Sequence, residues 1–160
     1  MTRAYGWGPT DGRLVERVPH GHWMTTTYLA ALRSTGLFCP LVVDGAMTGE
    51  VFRAWVEQHL APALRPGDIV VLDNLSSHKV AGVAAAIRAA GAEVAYLPPY
   101  CPRLNPIEQV FAKTKAEIRK QMPRTKAACD RLCGESLDWF PPGECQNYIR
   151  HAGYGPQEVN

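Results

Sequence analysis

The sequence predicts an α/β fold in which an antiparallel hairpin lies beside a parallel pair of strands, with helices flanking the sheet. Three observations lead there. Periodicities of two and of 3.6 residues succeed one another in the order hairpin, helix, strand, helix, strand, helix. Strands that alternate with helices imply parallel pairing through right-handed crossovers. A chain of 160 residues with 46% hydrophobic content is long enough for one buried core, with at most a small appendage.

The first eighteen residues read as loop and turn, punctuated by "GPTDG" from Gly8 to Gly12. Met24 to Leu32, "MTTTYLAAL", is rich in β-branched and aromatic residues and stops at the turn signal "RSTG". Leu37 to Val43 supplies its hairpin partner, and Pro40 suits an edge position because proline cannot donate to a ladder. From Thr48 to Leu64 the period becomes helical, with Val51, Phe52, Trp55, Val56 and Leu60 on one side, Thr48 as a cap, and "RPG" closing the element.

Ile69 to Leu72 is a continuous apolar run, as expected of a strand covered on both faces. Lys79 to Ala90 is alanine-rich and stops at Gly91, predicting a helix. Glu93 to Leu97 predicts the next strand, and a proline-dense loop, "PPYCPRLNP", leads to a helix from Pro106 to about Gln121. That helix buries Ile107, Val110, Phe111, Thr114 and Ile118, and Pro123 breaks it. The tail predicts one helix, a break at "FPPGE" and a short aromatic-containing end.

Composition narrows the function classes. No stretch approaches the roughly 18 apolar residues of a membrane span, and the start has no apolar run of signal-peptide type, so a soluble cytoplasmic protein is the expectation. Five scattered cysteines fit free thiols, and Cys129 and Cys133, four residues apart, lack a companion pair for a zinc site. The net charge is only +2, yet seven bases against two acids between Arg103 and Lys126 give that segment +5. A solvated helix face or a surface for phosphates would each account for it.

Two carboxylates stand out. Asp73 ends the apolar run in "VVLDNLSSHK", at the carboxyl end of a parallel strand, where ligands gather in such sheets. It reads either as a cap on the following segment or as a metal-binding carboxylate. Asn74 and His78 accompany it, and His78 reads equally as a helix-start histidine. Glu108, in "LNPIEQVF", reads either as the acidic member of an N-terminal capping box with Asn105 and Pro106, or as a second metal-binding carboxylate. Lys115 and Arg119 each fall within about 20° of Glu108 around the helix, on the face opposite the apolar one. Asp44, in "VVDGAMTGE", is assigned to the turn before a helix.

"VVLDNLSSHK" followed by "LPPYCPRLNPIEQVFAKTK", with 34 residues between Asp73 and Glu108, closely resembles the catalytic domain of bacterial insertion-sequence transposases of the mariner-like superfamily. "VPHGHWMTTTYLAAL" and "NYIRHAGY" resemble the same family. The resemblance implies a ribonuclease H-like mixed sheet flanked by helices, and an Asp, Asp, Glu triad holding two divalent metals, usually magnesium. By resemblance Asp73 is the second triad member and Glu108 the third, with Asn74, His78, Asn105 and Pro106 supporting them. Lys79, Lys115 and Arg119 are the expected DNA contacts. The family reaction is DNA strand cleavage followed by strand transfer into target DNA, for which the resemblance suggests a TA dinucleotide. Partners would be DNA and a second transposase subunit, either in a homo-oligomer or as the full-length enzyme.

In this family the first aspartate ends a central strand that precedes the hairpin, in a stretch that would lie before Met1. The expectation is therefore a core at residues 1–122 lacking that first, central strand, and a helical tail at 123–160. Asp44 would end an outer strand roughly 14 Å away at about 4.8 Å per strand, too far to substitute. The chain is expected to be inactive alone, poorly stable, and to carry two unpaired sheet edges. Two other readings stay open: a non-catalytic DNA-binding or subunit-interaction fragment that modulates an intact transposase, and a metal-dependent nuclease with a rearranged site. Translating the nucleotide sequence upstream of Met1 separates them, since an apolar strand ending in Asp-Glu would identify a fragment.

Overall fold

The protein is described as a computed structural model that covers Gly8, Thr10, Val15 and residues 25–155. The expected turn at Gly8–Gly12 and the expected strand start at Met24 fall outside the described residues, apart from Gly8 and Thr10.

Strands β1 (Thr26–Arg33) and β2 (Gly36–Asp44) form the expected antiparallel hairpin. Its register slips between the pairs Leu29↔Leu41 and Ala31↔Phe38, where Cys39 takes a positive φ of 52° and Pro40 is left without a ladder partner. Placing the proline at this bulge removes the cost of its missing N–H. Thr48 caps helix α1 (Gly49–Trp55), accepting from the Val51 N–H at 3.2 Å. The helix continues through a π-type segment, Val56–Leu60, into α2 (Ala61–Ala63).

Strand β3 (Ile69–Leu72) pairs in parallel with β4 (Glu93–Tyr96), crossing over through a 3₁₀ turn at Ser76–Lys79 and helix α3 (Val83–Ala89). The single helix expected over 79–90 is interrupted. Val80 is extended and Gly82 has φ of 100°, so the alanine-rich stretch becomes helical only from Val83. A further correction concerns β3. Ile69 is 64% exposed and Val70 and Val71 are half-buried, so this apolar strand is not covered on both sides.

Helix α4 (Ile107–Gln121) ends where Met122 turns left-handed ahead of Pro123. Beyond it lie α5 (Lys126–Glu135), capped by Thr125, and α6 (Pro142–His151). The "FPPGE" stretch was expected only as a break, yet Pro142 opens a ten-residue helix, as a proline at a first helical position can. Asp44, expected in a turn, instead ends β2 and pairs with Lys126 Nζ at 2.8 Å.

The hairpin lies between two apolar layers. Leu29 joins Phe52, Trp55, Val56, Leu72, Val83 and Ile87 in the larger core. Tyr28, Leu32, Leu37 and Val42 pack against clusters built on α4, α5 and α6. Because residues along a strand point alternately to opposite faces, β1 feeds both layers.

Among the described residues the strands make two separate two-stranded sheets, β1-β2 and β3-β4. No helix of the described residues is long and apolar enough to cross a membrane, and all five cysteines are free.

Candidate active site

Asp73 follows the last residue of β3. Its Oδ1 accepts from the Leu75 N–H at 3.2 Å, closing a local turn, and lies 2.5 Å from His78 Nδ1. The aspartate therefore caps no helix; the 3₁₀ turn that follows has no side-chain cap at all. His78 is held from three sides. Its ring stacks on Phe52 of α1 at 4.1 Å between centroids, its carbonyl accepts from the Tyr96 hydroxyl at 3.3 Å, and its side chain is only 15% exposed.

The close approach of α1 makes this possible. A Cβ on Gly49 would sit 2.2 Å from Val80 Cγ2, so only glycine at the first turn lets the helix meet the segment that follows His78. Nothing in the sequence pointed to Phe52 or Tyr96 as supports for His78. Phe52 was legible only as part of an apolar helical stripe, and Tyr96 only as part of a strand.

Glu108 stands in the first turn of α4 and is exposed. The capping box expected here does not form. Pro106 occupies the cap position without a side-chain hydrogen bond, and the contact made is from the Glu108 N–H to the Asn105 carbonyl at 3.2 Å. Glu108 is therefore not committed to its own helix terminus.

Asp73, His78, Asn105, Pro106 and Glu108 all border one cavity of about 670 Å³ between the two sheets. Asn74, Lys79, Lys115 and Arg119 are not part of its wall. Asn74 is half-buried and its Oδ1 lacks a hydrogen-bond partner. Lys79 is exposed, with Nζ 5.8 Å from the centre of the Tyr96 ring. Lys115 and Arg119 are exposed on α4, about two and three helical turns along the ridge that begins at Glu108.

Away from these carboxylates, Asp68 and Arg33 form an ion pair across the cavity wall. The Arg65 N–H, which donates to Asp68 Oδ2 at 2.8 Å, lowers the Asp68 pKa; partial burial opposes this and the Arg33 guanidinium reinforces it.

Asp73 and Glu108 offer the hard oxygen donors that divalent cations such as magnesium prefer. Among the described residues, however, no group of three or more His, Cys, Asp or Glu side chains could hold a metal ion. Two carboxylates do not complete a two-metal site, so no chemical step through a metal follows from the residues present.

The sequence pattern of the DDE superfamily endonucleases matches residues 1–129. No curated protein is similar enough to count as a match. Twenty-one solved chains match in structure. One is in the crystal structure of the Mos1 strand transfer complex, with a TM-score of 0.75 over 95% of this chain and 16% sequence identity. The chain spans 47% of the length of that Mos1 chain. At this identity the likeness is one of fold.

Proposed function

Because the chain belongs to the DDE superfamily endonucleases, we propose that it is part of the catalytic core of a DNA transposase, with Asp73 and Glu108 as two of its three metal-binding carboxylates. The observation that carries this reading is their convergence: two acidic side chains with 34 residues between them in sequence border the same cavity. The motifs "VVLDNLSSHK" and "LPPYCPRLNPIEQVF" support it, as does the fold shared with the Mos1 chain.

Residues 1–122 constitute the core in this reading and 123–160 a helical tail. The third carboxylate comes from polypeptide outside the described residues, and the completed site holds magnesium for strand cleavage and strand transfer. Asp73 and Glu108 would supply oxygen ligands, while His78, stacked on Phe52, orients the Asp73 carboxylate. Lys115 and Arg119 meet DNA phosphates along the Glu108 ridge, and Lys79 does so beside Tyr96. The chain alone is inactive and acts with DNA and with a longer transposase subunit.

The absence of a three-ligand group among the described residues equally favours a second reading, in which the chain binds DNA or transposase without cleaving. The experiment is nicking of a labelled duplex by the purified chain with magnesium, beside a binding titration at several salt concentrations. Expected are no nicking, and DNA binding whose salt slope falls by about one per cation removed in Lys115→Ala and Arg119→Ala. Nicking that disappears in Asp73→Asn or Glu108→Gln would overturn the claim of inactivity. An absence of DNA binding would overturn the first reading and leave only binding to a transposase subunit in the second.

A further inference from the structure

Helix α5 carries two thiols on one face. Cys129 and Cys133 are four residues apart in it, so about 40° separates them around the helix. Two other thiols are engaged elsewhere: Cys39 donates to the His59 carbonyl at 3.1 Å and Cys145 to the Phe140 carbonyl at 3.5 Å. Cys129 and Cys133 meet each other instead, thiol to thiol. Cys133 is 5% exposed, in an apolar cluster with Ile118 and Leu132, and Cys129 is half-buried at the margin of the same cluster. One sulfur is therefore partly accessible from solvent and the other is shielded behind it.

The geometry of the pair disfavours a disulfide. A disulfide holds its Cβ atoms about 3.5–4.5 Å apart, whereas residues four apart on a helix keep theirs about 5–6 Å apart. Closing that bond would distort α5, which Thr125 caps and Lys126 ties to Asp44 of the hairpin. Zinc is not served either. It takes four ligands, and among the described residues no group of three or more His, Cys, Asp or Glu side chains could hold a metal ion. The neighbouring Asp130 carboxylate is held by Lys126 Nζ at 2.5 Å. A cation satisfied by two soft donors in line fits better. Two metal–sulfur bonds of about 2.3 Å span up to about 4.6 Å, a gap that two sulfurs at this helical spacing can bracket. Thiolates are soft ligands and select monovalent copper among such cations.

We infer that Cys129 and Cys133 form a two-coordinate site for a monovalent copper ion on the buried face of α5. On binding, two S–H bonds give way to two S–Cu bonds and two protons pass to solvent. Copper stays in the +1 state, so no oxidant or reductant takes part. Burial, and next the Cys129 thiol, push the Cys133 thiol up to about 11, which keeps it protonated and unreactive until a metal displaces its proton. Tyr28, Val42 and Trp139 pack against the cluster and shield the inner sulfur from competing ligands. Neither Asp73 nor Glu108 takes part in this site.

The test is an anaerobic titration of the purified chain with Cu(I) in competition with the chromogenic chelator bicinchoninate, followed by X-ray absorption at the copper edge. One copper per chain is expected, bound by two sulfurs. Cys129→Ala and Cys133→Ala should each weaken binding by about a hundredfold or more, beyond the roughly 10–100-fold that loss of a supporting partner costs. Because Cys129 is only half-buried, Cys129→Ala decides the matter if Cys133→Ala fails to fold. Cys39→Ser combined with Cys101→Ser should leave the affinity unchanged. No withdrawal of copper from the chelator, three or more sulfurs around copper, one copper shared by two chains, or unchanged affinity in Cys129→Ala overturns the proposal. So does loss of binding in the Cys39→Ser, Cys101→Ser chain, which would place the ion at another pair.

Discussion

The two sides of the hairpin are finished to different degrees. On the side of α4, α5 and α6, several charged and apolar groups find partners within the chain, although Thr114 Oγ1 and Asp130 Oδ1 have no hydrogen-bond partner. Val110 and Cys145 are fully buried, Lys113 Nζ reaches the Trp139 carbonyl at 3.1 Å and both Glu144 oxygens at 2.8 Å, and Lys126 holds Asp44 and Asp130 together. On the side of β3, an isoleucine is exposed, two strand edges lack a paired neighbour among the described residues, and the Asn74 Oδ1 has no hydrogen-bond partner. The first region carries charged groups clamped by several partners; the second borders the open cavity at which Asp73 stands.

The largest effect that could break this contrast is in the closed layer. Phe140 is 3% exposed and lies under Lys113 Nζ at 4.8 Å, so Phe140→Ala should cost about 3–5 kcal/mol by urea denaturation. A loss below 1 kcal/mol would mean that the layer is not a packed core. Lys113→Met should cost about 1–2 kcal/mol, reduced because the pair is one-third exposed, as it strands Glu144 and the Trp139 carbonyl.

A pH series sharpens the same point. Lys113 and Tyr148 hold the Glu144 pKa below the ordinary carboxylate value, so its contribution is present above that value and is lost as pH falls through the lowered pKa. Tyr148 is pushed up to about 12 by burial and by Glu144, so its contribution is present below the ordinary phenol value and lost as pH rises through about 12. Denaturation midpoints should fall at both extremes, and less steeply in acid for Lys113→Met. The smallest effect belongs to the open side. Ile69→Ala should change stability by no more than about 0.5 kcal/mol, and a cost like that of Phe140→Ala would show the edge to be covered.

Much of the fold was legible because local chemistry decided it. The four strands, the Thr48 cap and α4 follow from apolar period, turn residues and proline placement. The interruption before α3 was not legible, because an alanine-rich run hides the left-handed position that Gly82 occupies. Nor was α6, since the same pair of prolines can stop one helix or start another. Asp73 and Glu108 could be paired only through their flanking motifs, because each had a sufficient local explanation. The structure removes one of those explanations by leaving Asn105 outside the cap. The stack of His78 on Phe52 joins residues 26 positions apart on different elements, and no sequence periodicity records it.

The alternation of β1 between two layers bears on how the chain folds. Leu29 and Ala31 serve one apolar cluster, while Tyr28 and Leu32 serve the clusters on the other face. The hairpin itself forms from neighbours in sequence, with little loop-closure entropy to overcome. Neither layer can assemble against it until it exists, and each gains a docking surface once it does. The hairpin is thus placed to act as the nucleus, and substitutions in β1 should slow folding more than they hasten unfolding, while those in α6 should do the reverse.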